Sequence, residues 1–113
     1  MTDTVQILRD ARALIADEKN WTQGDYAKNS FGHSTGVKNE NANCFCAIGA
    51  LAKVQGISPN DDITGASFLA LEASGGAEKL GFIVARFNDD HTHAEVIALF
   101  DRAIARAESE AVQ

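Results

Sequence analysis

Cys44-Phe45-Cys46-Ala47-Ile48-Gly49-Ala50-Leu51-Ala52 is apolar at every position, so turning it about a helix axis exposes no polar face to water. A segment of this kind is stable only when surrounded, and it predicts a buried central helix over residues 44–54. Asn43 stands ahead of it as an N-cap, and Gly56 and Pro59 behind it are stop signals. Gly49 sits inside the run, where a glycine is less favourable than alanine by roughly 0.5–1 kcal/mol; its use there points to another helix approaching closely.

The flanking segments have the patterns needed to cover such a hub. Upstream, Val5, Leu8 and Ile15, flanked by Ile7, Ala11 and Leu14, recur at helical spacing behind a capping Thr2 or Asp3. They predict a first helix to about Asp17 with a charged outer face. Between Asn20 and Asn43 the periodicity fades into Gly, Asn, Ser and Thr, which reads as a loop or a small hairpin. Trp21, Tyr26 and Phe31 punctuate it, and large aromatics are usually buried, so the segment is expected to be pinned onto the helices. Downstream, residues 64–73 predict a short helix ending at Gly75-Gly76. Leu80, Ile83, Val84 and Phe87 fit the helical template, although 82–87 also suits a strand by propensity. After the polar break Asn88-Asp89-Asp90-His91, the order Thr92-His93-Ala94-Glu95 matches a reciprocal capping box. A last helix follows, with Val96, Leu99, Phe100, Ala103, Ile104 and Ala107 on one face. The expected fold is mostly α: a compact bundle of about five helices around the central one, compatible with a small β-hairpin in 20–43, in a single domain of 113 residues.

Composition narrows the partners. Ten Lys and Arg against sixteen Asp and Glu give a formal charge of −6, and the basic residues are scattered, so phosphate backbones are repelled and nucleic acid is not an expected partner. No apolar stretch approaches the length of a membrane span and the N-terminus lacks a signal-peptide pattern, which predicts a cytoplasmic location and no membrane partner. Cys44 and Cys46 close almost no loop, so reduced thiols are expected.

Trp21-Thr22-Gln23-Gly24, Cys46-Ala47-Ile48-Gly49-Ala50-Leu51, Asn88-Asp89, and Thr92 with Glu95-Val96 occur in an order and spacing that resembles an uncharacterised family of small bacterial and phage proteins. The similarity spans residues 21–104, with Phe87 where the family pattern has Trp and with Cys44 outside the shared core. The resemblance implies a bacterial or phage origin. It carries over no catalytic residue, so the chemistry must be read from the residues themselves.

Three constellations carry chemical potential. Cys44 or Cys46 at a helix N-terminus can form a nucleophilic thiolate, with His91, His93 or His33 as base and Asn88, Asp89 or Asp90 orienting it. Against this, both cysteines lie in an apolar run, where a free thiol serves as core packing. Cys44 and Cys46 with His91 and His93 offer four zinc-type donors, but on a helix positions 44 and 46 point about 200° apart, so no metal site is expected. Asn88-Asp89-Asp90 supplies oxygen ligands without the spacing of a calcium loop, and turning the chain into the last helix accounts for it. One further arrangement concerns packing: were Trp21, Cys46 and Asn88 to meet, Asn88 could partner the buried polar atoms of the loop. The residues thus lead to a non-enzymatic accessory or protein-interaction protein, without cofactor or metal and with a partner and oligomeric state left open. The alternative is a small cysteine-dependent hydrolase or transferase.

Overall fold

Val5, Leu8, Ala11 and Ile15 do form one buried stripe, and with Ile7 they anchor the first helix, α1 (Thr4–Leu14), onto the rest of the chain. The computed structural model describes residues 4–57 and 88–111. The expected caps at Thr2 or Asp3, the helix at 64–73 with its Gly75-Gly76 stop, and the helix at 80–87 lie outside the described residues. α1 stops at Leu14 instead of continuing to Asp17. The Asp17 side chain accepts a hydrogen bond from the Lys19 amide and starts a 3-10 turn, Glu18–Asn20, which redirects the chain.

Two short antiparallel strands follow, β1 (Ala27–Asn29) and β2 (Ala42–Phe45), pairing Ala27 with Phe45 and Lys28 with Cys44. The hairpin compatible with the 20–43 region is therefore present, but its second strand takes two residues more than that region, Cys44 and Phe45, and with them the start of the expected central helix. That helix, α2, runs from Ala47–Gln55. Asn43 is exposed on the strand and caps nothing; Cys46 is the N-cap, extended in backbone, with its sulfur accepting the Gly49 amide at 3.3 Å. The apolar run is thus divided between a strand and a helix, because β1 offers residues 44 and 45 a pairing partner that satisfies their backbone. From Ala47 to Ala52 every residue is buried, as the hub reading requires. α2 ends as expected at Gly56, whose φ of +71° is the left-handed conformation that favours glycine.

The last helix, α3 (His93–Ala111), presents Val96, Leu99, Phe100, Ala103 and Ala107 to the core, and α1 packs against both α2 and α3. One hydrophobic cluster joins all three helices with Ala27, Val37 and Phe45 of the hairpin region. Across the α1–α3 seam, Arg9 pairs with Glu108, and Arg12 Nε lies 2.7 Å from Asp101 Oδ1. Both pairs are exposed and add little to stability. The fold is mostly helical with a small two-stranded antiparallel sheet. The described residues contain four α-helical segments, at 4–14, 47–55, 88–90 and 93–111, where about five helices were expected for the chain.

The capping box forms as read: Glu95 Oε1 accepts the Thr92 amide at 2.9 Å, and Thr92 Oγ1 accepts the Glu95 amide at 3.2 Å. The Thr92 backbone bond holds the Glu95 carboxyl below its ordinary range. Replacing Thr92 with alanine is expected to lower stability by about 1 kcal/mol, measurable as a shifted urea midpoint with an unchanged slope. An unaltered midpoint would show that the box contributes nothing to the folded state.

The hairpin tip departs from the expectation that the aromatics pin this segment down. Trp21 does pack against the core, but Phe31 is 82% exposed and Tyr26 40%. Asn29 provides the reason for Phe31: its Oδ1 accepts the amides of Phe31 at 2.9 Å and His33 at 3.1 Å, a side-chain turn that projects residues 30–32 away from the helices.

Candidate functional site

Asn88 is fully buried and lies where the loop after α1, the start of α2 and the entry to α3 meet. Its Oδ1 accepts the Trp21 indole Nε1–H at 2.7 Å and the Ala47 amide at 3.0 Å. Its Nδ2 donates to the Thr22 carbonyl at 2.9 Å and, more weakly, to Asp89 Oδ1 at 3.4 Å. All four hydrogen-bonding positions of the side-chain amide are therefore occupied. The Ala47 amide is one of the donors a helix leaves without an internal partner at its first turn, so Asn88 caps α2 from 41 residues away while Cys46 caps it locally. The convergence of Trp21, Cys46 and Asn88 considered from the sequence is the geometry found.

Gln23 completes the junction from the other side. Its Nε2 lies 3.0 Å from the Asn88 carbonyl, 3.1 Å from that of Asp89 and 3.0 Å from that of His91. Residues 88–90 are helical, and these are the carbonyls that a helix leaves unsatisfied at its C-terminal end, gathered here by one amide. The Gly24 amide donates to Asp89 Oδ1 at 2.9 Å, tying loop and turn together once more. In the sequence Gln23 stands two residues from Trp21, and no pattern there assigns it a role. The signal was its position two residues after the tryptophan that reaches the same turn.

The eight candidate catalytic residues divide between this junction and other surroundings. Cys46 is 4% exposed, and burial pushes its thiol from an ordinary 9.0 up to about 11. The Asp89 charge also raises it, whereas the Gly49 and Ile48 amides pull it down by less. Cys46, Asn88 and Asp89 are thus brought together. Cys44 is elsewhere: it lies half-buried in β2 with its Sγ 3.7 Å from the Lys28 carbonyl. His93 is half-buried. Its Nε2 lies 2.7 Å from the Ile15 carbonyl and must carry the hydrogen, while its ring packs on Trp21 at 5.6 Å and 57°. His91 lends its carbonyl to Gln23, Asp90 is exposed, and His33 sits at the hairpin tip. Among the described residues no three His, Cys, Asp or Glu side chains gather as a metal site, and no helix is long and apolar enough to cross a membrane.

Beside the junction lies a half-open pocket of about 360 Å³. Gly24, Asp25, Tyr26, Ser34, Thr35, Cys46 and Asp89 form its wall, so it joins the capped start of α2 to the base of the hairpin. Asp25, Ser34 and Thr35 had no place in the sequence reading, since nothing in their spacing shows that the chain folds back at this point. Comparison with the curated proteins and with the solved structures found no match. Residues 1–106 match the model of a family of unknown function, DUF6197, and the chain belongs to that family.

Proposed function

We infer that this chain is a non-enzymatic accessory protein that works by binding another protein, in the cytoplasm of a bacterium or in a phage-infected one. The observation that carries the reading is the commitment of the polar junction to the fold. Asn88 has no hydrogen-bonding position left for a substrate, Gln23 holds three backbone carbonyls, and the Cys46 sulfur accepts a helix amide. A nucleophilic thiol needs its thiolate, and a group held near 11 is ionised in only about one molecule in ten thousand at neutral pH. The formal charge of −6 supports a protein partner over nucleic acid.

The alternative, a cysteine-dependent hydrolase or transferase, makes the opposite demand on the same sulfur. With Cys44 replaced by serine, the alkylation rate of native Cys46 is expected to be about a hundredfold below that of an unhindered cysteine at pH 7.5, and to go on rising through pH 9 toward about 11, where an unhindered cysteine has already levelled off. Unfolding in urea should abolish the protection. Rapid native alkylation with a midpoint at or below pH 7 would overturn the binding reading and restore Cys46 as a nucleophile.

A further inference from the structure

The cleft of about 360 Å³ at the base of the hairpin is within the range of roughly 300–1,000 Å³ usual for sites that enclose a small group. Asp25 and Asp89 reach it from two separate stretches of chain, and no lysine, arginine or histidine stands in the wall with them. Lys28 Nζ is 4.0 Å from Asp25 Oδ2, beyond hydrogen-bonding distance, and Lys28 lies on β1 outside the cleft. Asp89 is held through Oδ1, which accepts the Gly24 amide at 2.9 Å, while its Oδ2 has no partner among the described residues. Two like charges on one cleft, with no cation in its wall, favour a positively charged occupant.

The same wall presents donors. Cys46 is 4% exposed; its sulfur accepts the Gly49 amide, but its S–H has no acceptor among the described residues. A polar hydrogen so deeply buried normally meets an acceptor, and the cleft is where one can enter. The hydroxyls of Ser34 and Thr35, also without a partner among the described residues, add two more donors. The charge of Asp89 acts on the Cys46 thiol, so the groups that call for a cation and those that call for an acceptor are neighbours.

We propose that the cleft holds the amino terminus of a partner polypeptide, with its α-ammonium between Asp25 and Asp89 and its first carbonyl oxygen facing Cys46, Ser34 and Thr35. This rests on the reading of the chain as a protein-binding one and names the end of the partner that it takes. An ammonium and a carbonyl joined through one carbon supply both the donor and the acceptor that this wall calls for. A free amino acid carries a carboxylate in place of that neutral carbonyl, and the two aspartates repel it. A lysine side chain brings the ammonium without an adjacent acceptor.

Amide NMR of the full chain, titrated with Ala-Ala-amide, tests the proposal. The expected result is saturable shifts of the Gly24, Ser34 and Thr35 amides with a Kd of about 1 mM, and binding about tenfold weaker for the N-acetylated dipeptide. Free alanine and Nα-acetyl-lysine amide should each bind about tenfold more weakly than Ala-Ala-amide as well. Asp89→Asn keeps an oxygen for the Gly24 amide and removes the charge; it is expected to leave the urea midpoint in place and weaken the dipeptide about fivefold. No shift up to about 10 mM, equal binding of the acetylated dipeptide, or an affinity indifferent to Asp89→Asn overturns the proposal. Equal binding of alanine overturns it in favour of a free amino acid, and equal binding of the lysine derivative in favour of any amine. The binding reading is decided separately by the alkylation of Cys46, so a silent titration removes this inference alone.

Discussion

Replacing Gly49 with alanine is expected to destabilise the protein by about 2–4 kcal/mol, although the substitution improves helix propensity by roughly 0.5–1 kcal/mol. An added Cβ would overlap the Tyr26 carbonyl oxygen and come within 2.9 Å of the Tyr26 carbonyl carbon. Both obstacles are backbone and cannot rotate away. The same Tyr26 oxygen accepts the Cys46 amide at 3.1 Å, so moving the strand aside to admit a methyl group also strains the entry into α2. Gly36 is the matched control: a Cβ there meets nothing within 4 Å, and alanine at that position should change stability by no more than about 0.5 kcal/mol. Urea denaturation followed by circular dichroism compares the two. If Gly49→Ala unfolds at or above the wild-type midpoint, α2 and the hairpin do not meet as described.

The same contact shows what the amino-acid sequence disclosed and where it stopped. Gly49 announced a close approach, and one exists, but the approaching element is the Tyr26 backbone at the base of the hairpin, not a helix. Helical patterns such as Val5-Leu8-Ala11 and Val96-Leu99-Phe100-Ala103 were legible because amphipathic periodicity is set locally and each stripe is long. The capping box at Thr92 and Glu95 and the stop at Gly56 were legible for the same reason. The boundary inside the apolar run was not. Cys44 and Phe45 are as apolar as Ala47 and Ile48, and only a partner strand 16 to 18 residues upstream distinguishes them. Phe31 was misplaced because burial of aromatics is a statistical tendency, whereas its exposure follows from the turn made by Asn29. Of the candidate site, the approach of Trp21 to Asn88 could be conceived from the sequence because both are polar groups in need of partners. The pocket could not, since its wall comes from four separate stretches of chain.

Removing the Asn88 side chain is expected to have the largest effect of any single truncation at the junction. In Asn88→Ala the Trp21 indole N–H, the Ala47 amide and the Thr22 carbonyl all lose the partner they have now. Each buried polar group left unpaired is unfavourable by about 1–3 kcal/mol, so the sum, reduced by any entering water, is about 3–5 kcal/mol. That is a large part of the 5–15 kcal/mol that usually holds a domain of this size together. Trp21→Phe removes one of those groups in advance. In that background the further loss on Asn88→Ala should shrink by about 1–2 kcal/mol, and the difference is the coupling between indole and amide. Asn88→Asp keeps both acceptors but exchanges the donor to Thr22 for a buried carboxyl next to Asp89. Burial and the neighbouring charge both raise the pKa of such a group above its unfolded value near 3.9, so its folded form favours the proton. The sign follows: the variant should be least impaired in acid and should lose stability as the pH rises above about 4, in contrast to the usual acid lability of carboxylates. Urea titrations of the single and double variants at two pH values measure all of this. Additive losses in Asn88→Ala and Trp21→Phe would mean that Asn88 does not hold the indole, and the junction would then have to be explained by packing alone.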